Sequence, residues 1–300
     1  MTATSGPDWL DRDLYPFDGI RVPVGDHVVH AVDTRPQGGP GPTLLLLHGN
    51  PTWSFVYRDV IAALAPSVRC VAPDLPGFGL STAADGFAGT FVEHADVIEA
   101  FVDALDLRDV VLVVQDWGGP VGLRLLERRP ERFVGVVLGN TWAWPVDGDP
   151  HFTRFAGFMG GPIGSFLIRR ANLFVNVMVP MGHRRRRLSR TELRHYRAPL
   201  ATPARRELSA VLPREIVDAS PHLAGLERGL GVLRTLPVLM VWGDRDIAFR
   251  TRELDRWRAI VPDARVHVVA GAGHFVQSDV PVEFAAQVAD WLRDHALTSS

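Results

Sequence analysis

The segment Val110–Gly119, VVLVVQDWGG, constrains this chain more than any other stretch. Five consecutive valine or leucine residues make an apolar run of strand length, bounded by turn residues. A strand that is apolar on both faces belongs inside a sheet covered by helices on each side. Gly118 and Gly119 follow, and from Pro120 the pattern becomes helical. A sharp turn between a buried strand and a helix is the setting of a nucleophile elbow, normally written G-x-S-x-G. Here the apex is a carboxylate, Asp116, and Val114 stands in place of the first glycine.

The same alternation runs through much of the chain. Ile20–Val24 and Val28–Val32 read as a hairpin around Gly25-Asp26. Further strands are expected at Thr43–Leu47, Val68–Ala72, Val110–Val114, Phe133–Leu138, Pro237–Trp242 and Arg265–Val269. Helical patterns lie between them, among them Phe91–Leu105 and Pro120–Arg129. A last helix from Val282 carries Phe284, Val288, Trp291 and Leu292 at helical spacing. This predicts an α/β fold with a mostly parallel central sheet and helices on both faces.

One interval breaks the rhythm. Between Leu138 and Pro237 there is no strand pattern, yet the gap is far too long for a loop. It contains a helix start at Thr202-Pro203 and the apolar residues Phe152, Phe155, Phe158, Phe166, Leu167, Phe174 and Met178. The expectation is a helical cap domain, residues 142–233, inserted into a core domain of 1–141 and 234–300. Most of these side chains should bury against the core, and a few should line a pocket between the two. The run Arg184–Arg187 reads as a solvated face.

Composition removes several classes of chemistry. The 32 basic residues are all arginine, so Schiff-base chemistry, covalent pyridoxal phosphate and a P-loop lysine are excluded. A formal net charge of −2 offers no global attraction to nucleic acid or to an anionic membrane. No apolar run reaches the roughly 20 residues needed to span a bilayer. The segment MTATSGPDWLDRD lacks the features of a secretory signal. A single cysteine, Cys70, reads as inert core and suits a reducing, cytoplasmic location. No histidine pair has metal-ligand spacing, so neither metal nor cofactor is expected. Association with further copies of the chain is compatible with the sequence.

Three reactive groups fall in the order nucleophile, acid, histidine. Asp116 is first. VLMVWGDRD places Asp244 and Asp246 in the loop after a later strand, and both are eligible as the acid. GAGHFVQSDVP then puts His274 in a glycine-rich loop before the last helix. All three lie at the carboxyl ends of parallel strands, where such sheets build their sites. A carboxylate can attack saturated carbon without a base and leaves an ester that water can open. A serine at the same carbon would leave an inert ether. The backbone N–H groups of Asn50 and Trp117 are suited to hold the resulting oxyanion. His48, in the same turn as Gly49, reads as scaffolding.

With PDWLDRDLYPF, HGNPTWSFVYR, PDLPGFGLS, QDWGG and GAGHFVQSDVP in view, the chain resembles the haloalkane dehalogenases of the α/β-hydrolase superfamily over nearly its full length. The resemblance implies hydrolysis of a small apolar haloalkane to an alcohol, a halide ion and a proton through an alkyl ester on Asp116. It assigns the halide to the side-chain amide of Asn50 and the indole N–H of Trp117. Its spacing, glycine then two residues then aspartate, favours Asp246 over Asp244. Some relatives carry a glutamate after the sixth strand, where this chain has Asn140, so the acid must come from the later loop. Three rivals share the scaffold: an epoxide hydrolase, a cofactor-free oxygenase and a non-catalytic small-molecule receptor. Of the tyrosines an epoxide hydrolase would need, only Tyr196 falls in the cap.

Overall fold

The computed structural model describes residues 6–35 and 41–297, so the first five residues of the N-terminal segment lie outside it. Eight strands form one sheet: β1 (Gly19–Val24), β2 (His27–Asp33), β3 (Thr43–Leu47), β4 (Arg69–Pro73), β5 (Val110–Gln115), β6 (Phe133–Gly139), β7 (Val238–Gly243) and β8 (Arg265–Val269). Their order is β1-β2-β4-β3-β5-β6-β7-β8. The β1–β2 and β2–β4 pairs are antiparallel, and every pair from β4 to β8 is parallel. β4 starts one residue later than the sequence suggests. The N–H of Val68 still bonds back to Leu64 O at 3.0 Å, which makes it part of the preceding turn.

Alternation of side chains sorts the helices. Leu44, Leu46, Val111 and Val113 pack on one face with Val60 and Ile61 of α1 (Arg58–Leu64) and with Trp291 of the C-terminal helix. Leu45, Leu47, Leu112 and Val114 point the other way. They meet Ile98 and Phe101 of α2 (Phe91–Ala104) and Val121 and Leu125 of α3 (Gly118–Arg128). Burying one such aliphatic side chain is worth about 1.5–3 kcal/mol, so a one-residue slip of a central strand would be very costly. Thr90 and Glu93 close a capping box at the start of α2. α3 begins two residues before Pro120, which sits in the first turn where a missing N–H costs no helical bond.

Between β6 and β7 the described chain is helical. It runs through α4 (Pro150–Met159), α5 (Pro162–Ala171), a wide turn at Phe174–Met178, α6 (Val179–Met181), α7 (Arg190–Arg197), α8 (Glu207–Asp218) and α9 (Ser220–Gly229). Thr202-Pro203 opens only a short 3-10 turn, Ala204–Arg206, and α8 starts after it. Phe152 and Phe174 are buried, whereas Phe158 and Phe166 are 55% and 60% exposed. That departs from the expectation that such residues bury. The inward face of α5 carries Gly164 and Ile168, which turns Phe166 outward.

After β7 come α10 (Thr251–Ile260), α11 (Val276–Asp279) and α12 (Pro281–Asp294). The arginine run is exposed at Arg184, Arg185 and Arg187. Its backbone has another task. The N–H groups of Arg184, Arg185 and Arg186 converge on the buried carboxylate of Asp279, which also accepts from Gly273 N–H at 2.9 Å. One carboxylate therefore joins the helical interval to the loop that carries His274.

Candidate active site

Asp116 stands at the end of β5 with φ of 52°, in the left-handed region. Aspartate tolerates this conformation better than most residues, and its backbone is fully bonded there. Its N–H reaches Asn140 O at 3.0 Å, and its carbonyl accepts from Gly119 N–H at 2.9 Å and Thr141 Oγ1 at 2.6 Å. The glycines allow the close approach. A Cβ at Gly118 would run into the Leu47 carbonyl, and one at Gly49 would run into the Asp116 carboxylate. The outcome is a carboxylate raised above the sheet edge, under the N-terminus of α3.

Asn50 N–H donates to Asp116 Oδ1 at 2.9 Å, and the backbone N–H of Trp117 also favours the charged form of the carboxylate. Burial nevertheless dominates and pushes the Asp116 carboxyl above its ordinary range. His274 and the two backbone donors pull it back. The two backbone donors thus offset part of the desolvation without cancelling it.

His274 Nε2 lies 3.6 Å from Asp116 Oδ2, and its Nδ1 lies 2.9 Å from Asp246 Oδ2. Burial lowers the imidazole's affinity for a proton, but Asp246 and then Asp116 overcome it, and the net direction is upward. Of the two eligible aspartates only Asp246 reaches the ring; Asp244 instead accepts from Gly271 N–H at 2.6 Å. Asp246 is itself held by Ala248 N–H at 2.7 Å and by Asn140 Nδ2 at 2.9 Å. Asn140 exchanges two further bonds with Gly243, at 2.8 and 3.1 Å.

Three residues that sequence reasoning passed over stand in this network. The side-chain amide of Gln115 donates to the His274 carbonyl at 3.1 Å and sits 3.0 Å from Nε2. Gln277 Nε2 supports it from behind, donating to Gln115 Oε1 at 3.3 Å. Ser209 of α8 bonds Asn50 twice, its Oγ to Asn50 Oδ1 at 2.7 Å and its carbonyl to Asn50 Nδ2 at 3.2 Å. A signal existed for Gln115, the one polar residue closing an otherwise apolar buried strand. None existed for Ser209, which is 159 residues away from its partner.

A cavity of about 130 Å³ lies above Asp116. Its polar groups are Asn50, Asp116, Trp117, His151 and His274. The rest of its wall is apolar, with Trp142 and Phe249 from the sheet edge and Phe152, Phe155, Phe174 and Met178 from the helical interval. The indole N–H of Trp117 faces no acceptor among the described residues. Trp142 packs edge-on against this ring with centroids 4.7 Å apart.

Other candidates sit elsewhere. Tyr15, Tyr57 and Tyr196 are buried in packing and none lines the cavity. Burial pushes the Cys70 thiol up to about 12. His48 is buried and accepts from Leu75 N–H at 2.9 Å, as a scaffold residue would. No cluster of three or more potential metal ligands occurs among the described residues. No described helix is long and apolar enough to cross a membrane.

The profile of the alpha/beta hydrolase fold family matches residues 42–281. The chain is 42% identical to haloalkane dehalogenase 2 of Mycobacterium tuberculosis over 282 residues, 93% of this chain and 96% of that protein. It is 32% identical to a haloalkane dehalogenase of Mesorhizobium japonicum, covering 93% and 92% of the two chains. Among solved structures, haloalkane dehalogenase DatA from Agrobacterium tumefaciens C58 superposes with a TM-score of 0.81 at 29% identity, covering 93% of this chain and 97% of that one. A family profile over residues 42–281, with relatives of that kind along nearly the whole length, places the chain in the α/β-hydrolase family, among the haloalkane dehalogenases.

Proposed function

We propose that this protein hydrolyses small apolar haloalkanes to alcohol, halide and a proton through a covalent alkyl ester on Asp116, with residues 142–233 serving as a cap. The observation that carries this reading is a buried carboxylate facing an apolar cavity, with a partnerless indole N–H on one side and an acid-supported imidazole on the other. Asp116 Oδ1 is held by backbone N–H, which leaves Oδ2 free to attack. Its lone pair forms the carbon–oxygen bond while the halide departs with the carbon–halogen pair. Trp117 and Asn50 supply neutral, fixed donors for that anion.

Water then opens the ester. His274 Nε2 takes a proton from water as the oxygen attacks Cγ, and Asp246 stabilises the imidazolium. Negative charge on Oδ1 falls on the N–H groups of Asn50 and Trp117. Collapse expels the alcohol, which takes up one proton; the second is released, and Asp116 returns as carboxylate. An epoxide would need an acid for its alkoxide, and no tyrosine lines the cavity.

The test is halide release from a panel of bromoalkanes run beside an epoxide panel, with His274→Phe examined by mass spectrometry. The expected result is halide and alcohol from the intact protein and an alkyl adduct on Asp116 in the mutant. Alcohol from an epoxide with no halide from any bromoalkane would overturn the reading.

A further inference from the structure

The carbonyl of Ser209 lies inside α8, where it would ordinarily accept the N–H of the residue four positions on. That residue is Pro213, which has no N–H. The unclaimed carbonyl accepts Asn50 Nδ2–H instead, and the hydroxyl of the same serine donates to Asn50 Oδ1. Ser209 is buried and both of its bonds cross from the helical interval to the loop after β3. A carbonyl can only accept, so the Asn50 atom facing it must be nitrogen, and the amide cannot turn over.

We infer that Ser209 and Pro213 are positioning residues that set the orientation of the Asn50 amide, so that its second N–H joins the Trp117 indole as a halide donor. The inference rests on the function proposed above. Proline in mid-helix normally weakens a helix. Here its missing N–H frees the acceptor that aligns a functional side chain. Because the latch spans two parts of the molecule, the halide donor is correctly aimed only when α8 is seated over Asn50.

The experiment is a bromide titration followed by tryptophan fluorescence, with Trp117→Phe fixing the part of the signal that arises at the site. Ser209→Ala should bind bromide about tenfold more weakly, the equivalent of one hydrogen bond. Pro213→Ala restores an N–H that competes for the Ser209 carbonyl, so it should weaken bromide binding in the same direction while its Tm stays level or rises. A purely structural proline or serine would not separate stability from anion affinity in this way. Unchanged bromide affinity in both variants overturns the latch. If the parent protein itself gives no Trp117-dependent bromide signal, the halide site fails instead, and the two failures are distinguishable. Should Ser209→Ala not fold, Pro213→Ala decides alone.

Discussion

The carboxyl edge of the sheet and the helical interval meet at one cavity, and they contribute to it in opposite ways. The sheet edge supplies polar groups whose partners are fixed on several sides. Asp246 alone is bound by Ala248, Asn140 and His274. The helical interval supplies mostly apolar wall, Phe152, Phe155, Phe174 and Met178, held by packing and without directional bonds. Chemistry demands groups placed to within fractions of an ångström, and bonded networks on rigid strands deliver that. Accommodation of an apolar substrate demands only shape. Two polar residues are the exceptions: His151 of α4 lines the cavity and bonds the Ala248 carbonyl at 3.2 Å, and Ser209 is the residue through which α8 reaches into the sheet's side of the work.

Mutations should expose this contrast, with large effects on the polar side and small ones on the apolar side. The largest should come from Asp246→Asn, which leaves the imidazole without its charge partner. By analogy with other triads the rate of ester hydrolysis should fall on the order of 10⁴. Asp244→Asn should change it little, because the Asp244 carboxylate accepts from Gly271 N–H and does not reach the imidazole. Pre-steady-state hydrolysis rates of the two variants check this, and the reverse ranking would move the acid to Asp244.

Trp117→Phe keeps the backbone donor and removes the indole N–H. Losing one fixed donor to a developing charge typically costs about 10²–10³. The loss should appear in single-turnover alkylation and be greater for chloride than for bromide. A variant slowed only in ester hydrolysis would separate Trp117 from the leaving group.

A smaller effect, on pH dependence, is expected from Gln115. The His274 carbonyl fixes the orientation of the Gln115 amide, which therefore presents N–H, not oxygen, toward Nε2. That donor favours the neutral ring and opposes the carboxylates of Asp116 and Asp246, the charged groups facing His274. His151, on α4, is the other titratable group lining the cavity. A base must be neutral to act, so activity is lost as pH falls through the raised pKa of His274. Gln115→Leu should move this acid limb upward by about one pH unit, the value of one hydrogen bond. NMR titration of the imidazole in the free enzyme checks it, and a downward or absent shift contradicts it.

The smallest effect belongs to the wall. Phe155→Leu should alter KM ratios between bromoalkanes of different length, by about tenfold per methylene. The saturating alkylation rate should stay nearly unchanged. A large loss of that rate would mean that the helical interval positions the reacting carbon as well as containing it, and the contrast would soften.

Much of this was legible beforehand because it is local. The apolar run before Asp116, the turn glycines and the strand–helix rhythm act over ten residues or fewer, and burial leaves short β-branched runs few alternatives. Val288 and Trp291 could be assigned to a helix face from spacing alone. Asp116, the pair Asp244 and Asp246, and His274 could be named because each must end a parallel strand, and parallel strands end on one edge of the sheet; the family spacing favoured Asp246 of the pair.

Other properties arise only when distant segments meet. Phe158 and Phe166 look like core residues by composition, yet the inward face of α5 is taken by Gly164 and Ile168. Spacing favoured Asp246 over Asp244, but its contact with the imidazole depends on how the loop after β7 lies against the loop before α11. Desolvation of Asp116 depends on what covers it, which no single strand or helix records. The bond between Asn50 and Ser209 joins positions 159 residues apart through a carbonyl that Pro213 leaves free. Sequence fixes which groups each segment offers. Only the folded arrangement decides which acceptors are left unclaimed, because hydrogen-bond partners and solvent exclusion are properties of neighbours in space.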